Sequence, residues 1–155
     1  MDYHALKYIH IISATLLFGT GLGTAFHMVM AHFSRNIKAI ATVSRSVVLA
    51  DWLFTAPAVV IQLVTGGWMM LLMEYPLDTG WLLAALTLYL IVGACWIPVV
   101  WLQIRMQKLA TQAIESGEVL PPLYYRYFRI WFALGWPAFL SVLVIFYLMI
   151  YKPDF

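Results

Sequence analysis

Four long apolar stretches, separated by shorter polar segments, dominate the chain. Each runs for about 22 to 28 residues, which as an α-helix is enough to cross a hydrocarbon core of roughly 30 Å. We place them at about Ala5–Ala31, Ser46–Met73, Gly80–Leu102 and Phe128–Tyr151. The pattern predicts an all-α protein, a bundle of four transmembrane helices with short outer loops and longer basic inner loops, forming a single membrane domain over residues 1–155.

The composition agrees with a membrane protein. Hydrophobic residues make up 64% of the 155 residues and charged residues 10%, against roughly 25% charged in soluble domains. The apolar stretches use most of the chain, so little remains for a soluble catalytic module. Because the first stretch is much longer than the roughly 7 to 15 apolar residues of a signal peptide, we expect it to be retained as a helix.

Positive charges are concentrated in two of the connections between apolar stretches. By the positive-inside rule both connections face the cytoplasm, so both termini face outward. We therefore predict an integral protein of a bacterial inner (cytoplasmic) membrane with periplasmic termini. The cations are interpreted as topology signals and lipid head-group contacts rather than as a nucleic-acid site. They are Arg35, Lys38 and Arg45 in the connection His32–Arg45, and Arg105, Lys108, Arg126 and Arg129 in the connection Arg105–Arg129.

A polar stripe follows one face of the second apolar stretch. Its members recur at steps of three and four residues, the spacing of one helix face, so they should point into the bundle. Thr55, Gln62 and Thr65 are interpreted as partners in hydrogen bonds between helices. Asp51 is the only acid within the spans, and we expect it to pair with an inner-rim arginine, ligate a metal or relay protons. The stripe comprises Asp51, Thr55, Ala58, Gln62, Thr65 and Met69, and Pro57 predicts a kink beside it.

His10, near the predicted outer end of the first helix, is the first candidate for a cofactor ligand. At 100° per residue, Ala14, Gly21 and Met28 lie within about 40° of the same face. Small side chains at Ala14 and Gly21 leave room for a flat cofactor beside the imidazole, and close packing against another helix is the alternative explanation. Imidazole is a usual axial ligand of b-type haem.

The other histidines of this helix cannot complete a haem site with His10. His27 lies about 100° away around the helix and about 25 Å along it, and His32 lies farther still. A haem at His10 would therefore need a second ligand from another helix, or none. A separate candidate is a copper site at the predicted inner end, because imidazole and thioether groups are suitable copper ligands. It would combine His27, Met28, Met30 and His32 with Asp51.

Several short motifs resemble the HemJ-type membrane protoporphyrinogen IX oxidases, in order along all four predicted helices. The resemblance implies a four-helix bundle that binds b-type haem, with His10 as an axial ligand. The motifs are LKYIHII (residues 6–12) followed by FGTGLGTAF, then TAPAVVIQLVTGGWMML (55–71), GWLLAAL (80–86), YFRIWF (127–132) and the terminal YKPDF.

The third helix departs from the HemJ-type pattern at one position. Where that family has a functionally important lysine, in a stretch resembling GWLHAKL, this chain has Ala85. The sequence more closely resembles a related, uncharacterised family of predicted integral membrane proteins, grouped with the HemJ-type and the copper-resistance CopD-type proteins. We therefore expect the resemblance to predict the fold of this chain better than its reaction, and whether the protein is an enzyme stays open.

These observations favour a haem-b-binding membrane redox protein that acts in electron transfer or porphyrinogen oxidation. Its partners would be the lipid bilayer and a quinone, a porphyrinogen or a redox protein, and self-association into a homo-oligomer stays open. Two alternatives belong to other classes: a copper-handling or permease-like bundle, and a non-catalytic membrane accessory subunit. No catalytic triad, phosphate-binding loop or zinc-protease motif supports hydrolase chemistry.

Overall fold

The computed structural model describes residues 2–76 and 78–154, and all regular structure in those ranges is helical. Four helical segments are long and apolar enough to cross a membrane. The second of them, Ile37–Leu72, joins two α-helices through a short π-helix. This confirms the predicted all-α class and the four spans. The elements are α1 Tyr3–Phe33, α2 Ile37–Ala50, the π-helix Asp51–Thr55, α3 Ala56–Leu72, α4 Gly80–Ser116 and α5 Pro122–Tyr151.

The chain divides into two compact units, Met1–Tyr75 and Pro76–Phe155. In the N-terminal unit, α1 runs antiparallel to the continuous segment α2 to α3. In the C-terminal unit, α4 and α5 form an antiparallel hairpin, in which Trp101 and Tyr127 meet edge to face at 5.6 Å between ring centroids. Phe155, the last residue of the YKPDF motif, lies outside the described residues. The predicted single domain stays a prediction.

The connection predicted at His32–Arg45 is mostly helical, which corrects the predicted boundaries. Helix α1 continues to Phe33, and α2 already begins at Ile37. The local reason is a side-chain cap, because Asn36 Oδ1 accepts hydrogen bonds from the backbone N–H groups of Lys38 (3.0 Å) and Ala39 (3.2 Å). Such a cap satisfies amides that have no partner inside the helix. The loop between α1 and α2 is therefore only residues 34–36.

The third helix is also longer than predicted. It was expected to end near Leu102, but α4 continues to Ser116 and leaves only residues 117–121 before α5. Residues 103–116 contain no glycine or proline, so nothing local ends the helix before Gly117. Gly117 takes a left-handed conformation with φ of 70°, and the Glu118 N–H bonds to the Ala113 carbonyl at 3.1 Å. This is a common helix C-cap, in which glycine avoids a steric penalty.

Pro57 coincides with a change in helix type. The five residues before Ala56 form the π-helix, in which the Ala56 N–H donates to the Asp51 carbonyl, five residues back. Proline has no N–H, and its ring crowds the carbonyl four residues earlier. The wider π turn accommodates the proline without ending the span, and such turns are frequent at functional sites.

Candidate functional site: a histidine held between two helices

The His10 side chain lies half-buried between α1 and α3. Its Nδ1 is 2.8 Å from Thr65 Oγ1, a contact between residues 55 positions apart in the chain. Thr65 itself is buried, with 5% of its surface exposed. The contact fixes the rotation of the imidazole, because only one ring orientation brings Nδ1 to the hydroxyl.

Gln62 joins the same two helices one turn before Thr65. Its amide Nε2 donates to the His10 carbonyl oxygen and to Ser13 Oγ, each at 2.5 Å. Ser13 Oγ in turn donates to the His10 carbonyl at 3.0 Å. The carbonyl can only accept, which identifies the amide nitrogen as the atom that faces it. We call these four residues, His10, Ser13, Gln62 and Thr65, the polar clasp.

The structure confirms part of the predicted polar stripe. Gln62 and Thr65 do make hydrogen bonds between helices, as the spacing predicted. The prediction was wrong for Thr55, whose hydroxyl donates to Asp51 Oδ1 at 3.0 Å within its own turn. A hydroxyl four residues after a carboxylate can reach it along the helix face, so no second helix is needed.

Gly66 allows the ring of His10 to lie against the backbone of α3. A Cβ atom built at Gly66 would be 3.3 Å from His10 Cε1 and 3.9 Å from Nδ1. The first distance is tighter than an ordinary van der Waals contact, so a larger residue would displace the imidazole. Sequence reasoning missed both Gly66 and Ser13. The available signal was the Gly66–Gly67 pair directly after a threonine of the stripe, since small residues allow close helix approach.

The other ring nitrogen of His10 is not used by the fold. No described residue forms a hydrogen bond with Nε2. On the same predicted face, Ala14 is half-buried and Gly21 is exposed. A Cβ built at Gly21 meets no heavy atom of the described residues within 4 Å. Within the N-terminal unit this face is therefore open at Gly21 but buried at Met28, and its role in cofactor binding stays a prediction.

The predicted inner-end copper ligands point in different directions. His27 is exposed, and its Nδ1 donates to the Gly23 carbonyl at 2.9 Å. Met28 is buried, and its sulfur lies 3.5 Å from the Ser44 hydroxyl oxygen. Met30 is exposed. Across residues 2–76 and 78–154, no three or more His, Cys, Asp or Glu side chains are grouped to hold a metal ion.

Asp51 lies apart from the other inner-end candidates. Two contacts with α1 define the register on either side of Asp51: Met28 with Ser44 before it in the chain, and His10 with Thr65 after it. Asp51 follows Ser44 by seven residues, which places it about 10 Å along the helix from the level of Met28, in the direction away from His32. Its carboxyl is buried, with 4% of the residue exposed. The antiparallel register therefore separates Asp51 from His32.

The position of the missing lysine is buried in the C-terminal unit. Ala85 lies on α4 with 2% of its surface exposed. Gln103, also on α4, was not identified from the sequence and is 4% exposed, and its Oε1 has no hydrogen-bond partner among the described residues. Neither residue supplies a charged group to this unit.

Comparison with known proteins identifies a family. Neither the curated proteins nor the solved structures gave a match. A family model described as "Predicted integral membrane protein (DUF2269)" matches residues 4–153, nearly the whole chain. This agrees with the predicted resemblance to an uncharacterised integral membrane family, while the link to HemJ-type and CopD-type proteins stays a prediction. With four spans and a match over almost its full length, the chain belongs to the DUF2269 family of predicted integral membrane proteins.

Proposed function

We propose that this protein is a membrane redox protein that binds haem b through Nε2 of His10. One observation carries the proposal: Nδ1 of His10 is held by Thr65, and no described residue bonds to Nε2. Metal-binding histidines usually have this arrangement, in which one ring nitrogen is fixed by a hydrogen bond and the other coordinates the metal. The geometry favours His10 over the exposed His27.

The chemistry of the surroundings fits a haem. A b-type haem needs an axial nitrogen and apolar surface for its porphyrin. His10 supplies the nitrogen, Ala14 presents only a methyl group on the same face of α1, and the space beside Gly21 is open. When bound, haem b supplies one-electron exchange at its iron. The protein would orient the imidazole of His10 through the polar clasp, and the apolar side chains of α1 and α3 would limit access of water to it.

The reaction class follows from the resemblance rather than from a substrate site. Electron transfer and porphyrinogen oxidation are both compatible with a haem at this position, with a quinone, a porphyrinogen or a redox protein as partner. Ala85 replaces the lysine that the HemJ-type resemblance leads one to expect, which favours electron transfer. We further propose an inner-membrane location with both termini outward, which puts His10 near the outer face.

The test is an absorption spectrum of the detergent-purified protein, oxidised and then reduced with dithionite, combined with a pyridine haemochrome assay. We expect a Soret band that shifts on reduction and near-stoichiometric haem b. The His10→Ala variant should lose the haem, whereas His32→Ala, a matched removal of a histidine from the same helix, should keep it. Equal haem content in the wild type and in His10→Ala would refute the assignment, as would a featureless wild-type spectrum after haem supplementation.

A further inference from the structure

The Thr65 hydroxyl has three possible hydrogen-bond partners but only one hydrogen to donate. Besides His10 Nδ1 at 2.8 Å, its Oγ1 lies 2.5 Å from the Ile61 carbonyl oxygen and 3.5 Å from that of Gln62. A hydroxyl carries one hydrogen, and a carbonyl oxygen can only accept. Two oxygen atoms 2.5 Å apart repel each other unless a hydrogen lies between them, so the Thr65 hydroxyl donates to the Ile61 carbonyl. A lone pair of Oγ1 is left facing His10.

This assignment determines which nitrogen of His10 carries the proton. An oxygen lone pair at 2.8 Å requires a donor on the other side, so Nδ1 must be the N–H. In the neutral imidazole Nε2 is then the unprotonated nitrogen, the one able to coordinate a metal. The opposite tautomer would place two lone pairs against each other, one of them on a threonine that is only 5% exposed.

The two flat orientations of the imidazole differ in whether Nδ1 or a carbon atom faces Thr65. A half-turn of the imidazole about its ring bond would exchange Nδ1 for a carbon and leave the Thr65 oxygen without a donor. A Cβ atom at Gly66 would be 3.3 Å from Cε1, so glycine at this position leaves room for the ring, and Gln62 and Ser13 hold the His10 carbonyl. The polar clasp therefore holds the backbone and the ring of His10 together.

We infer that Thr65 is a positioning residue that selects the Nδ1–H tautomer of His10 and so presents Nε2 as the ligating nitrogen. That the ligated metal is haem iron rests on the proposed function; the tautomer itself does not. Helix α3 thus decides which nitrogen of a residue on α1 is available. Selection of this tautomer requires the hydroxyl of Thr65 and not its methyl group.

The experiment reads the tautomer directly in the haem-free full-length protein. Protein labelled with ¹⁵N-histidine is placed in detergent micelles at a pH where imidazole is neutral, and long-range ¹H–¹⁵N correlations report which nitrogen is protonated. The His10 signals are assigned by their loss in His10→Ala. His27 is an internal reference, because its Nδ1 donates to the Gly23 carbonyl and no variant other than His10→Ala changes a histidine.

Three variants test the role of the hydroxyl. Thr65→Val removes it at constant shape and should shift His10 toward the Nε2–H tautomer, while Thr65→Ser keeps it and should preserve Nδ1–H. Thr15→Val is the matched control, because the Thr15 hydroxyl also bonds a carbonyl four residues back, Ile11 at 2.9 Å, but does not contact His10. His10 protonated on Nε2 in the wild type would overturn the inference without any variant. An unchanged tautomer in Thr65→Val would also overturn it.

A second readout separates this inference from the proposed function. Loss of such an orienting hydrogen bond typically weakens metal binding about 10- to 100-fold, so haem titration should show that weakening in Thr65→Val and its rescue in Thr65→Ser. If the wild type binds no haem but the tautomer shifts as expected, the proposed function fails and the inference stands. If haem binds through His10 and Thr65→Val changes neither tautomer nor affinity, the inference fails and the function stands.

Discussion

The two units of the chain treat buried polar groups differently. In the N-terminal unit, His10 and Gln62 are connected by hydrogen bonds across the helix pair. In the C-terminal unit, aromatic contacts dominate, such as Phe128 against Trp131 with ring centroids 5.5 Å apart. The buried atoms Gln103 Oε1 and Trp131 Nε1 have no hydrogen-bond partner among the described residues. The N-terminal unit therefore uses polar side chains to join its helices, whereas these two buried polar atoms of the C-terminal unit make no such bond among the described residues.

This difference indicates where specific chemistry is located. Polar side chains at membrane depth are energetically costly and tend to be functional. In the N-terminal unit a threonine bonds to the imidazole of His10, and a glutamine and a serine bond to the backbone carbonyl of the same residue. The C-terminal unit resembles a helical hairpin anchored by aromatic residues, with Lys152 5.5 Å from the centre of the Trp81 ring at one end.

The largest expected effect comes from placing a charge in the C-terminal unit. Ala85→Lys introduces an ammonium group at a position that is 2% exposed. Insertion scales give about 2.5 to 3.5 kcal/mol for a charge at the centre of a membrane helix. Because Ala85 lies near the start of α4, we expect destabilisation of up to that size in SDS-induced unfolding, and no gain of porphyrinogen oxidation. Ala85→Met, which adds bulk without charge, should destabilise less; equal losses would attribute the effect to volume alone.

Removing the buried Gln103 amide should leave the free energy of unfolding unchanged or raise it. Gln103→Leu deletes a buried amide whose Oε1 has no partner among the described residues. A buried unsatisfied group costs about 1 to 3 kcal/mol, so the variant should be as stable as the wild type or more stable by up to that amount. The same unfolding assay measures it. A clear loss of stability would mean that Gln103 makes a contact essential to the folded state.

The equivalent change in the N-terminal unit should destabilise. Gln62→Leu removes the donor to the His10 carbonyl and to Ser13 Oγ. Hydrogen bonds between membrane helices are worth about 0.6 kcal/mol on average and about 1.7 kcal/mol at most. Unfolding of Gln62→Leu and Gln103→Leu side by side should give shifts of opposite sign. Shifts of the same sign would contradict the contrast between the two units.

The smallest effect on stability should come from Gly66→Ala, although this change should shift the position of the His10 imidazole. The added methyl group would lie 3.3 Å from His10 Cε1, while alanine gains about 1 kcal/mol of helix propensity over glycine. We expect little net change in unfolding, together with a shift of the His10 NMR signals and partial loss of haem. Gly67→Ala is the control, since no described heavy atom lies within 4 Å of its added Cβ. Identical His10 spectra in the two variants would refute the close approach.

Some features of the site could be found from sequence and others could not. The steps from Thr55 to Gln62 and Thr65 place all three on one helix face, and that much is a property of a single helix. Which of them reaches α1 depends on the neighbour, and Thr55 turned out to bond Asp51 in its own turn. Gly66 and Ser13 carry no chemical signature of their own, so their roles become visible only beside His10.

The sequence alone determined that the chain is helical and crosses the membrane four times, because hydropathy and helix length are local properties of each stretch. It also singled out His10. Only the tertiary structure decided that α4 runs on to Ser116, that a π-helix precedes Pro57, and that Thr65 binds Nδ1 of His10. The last contact joins residues 55 positions apart, and the register between two helices depends on how all their side chains pack together rather than on any single segment.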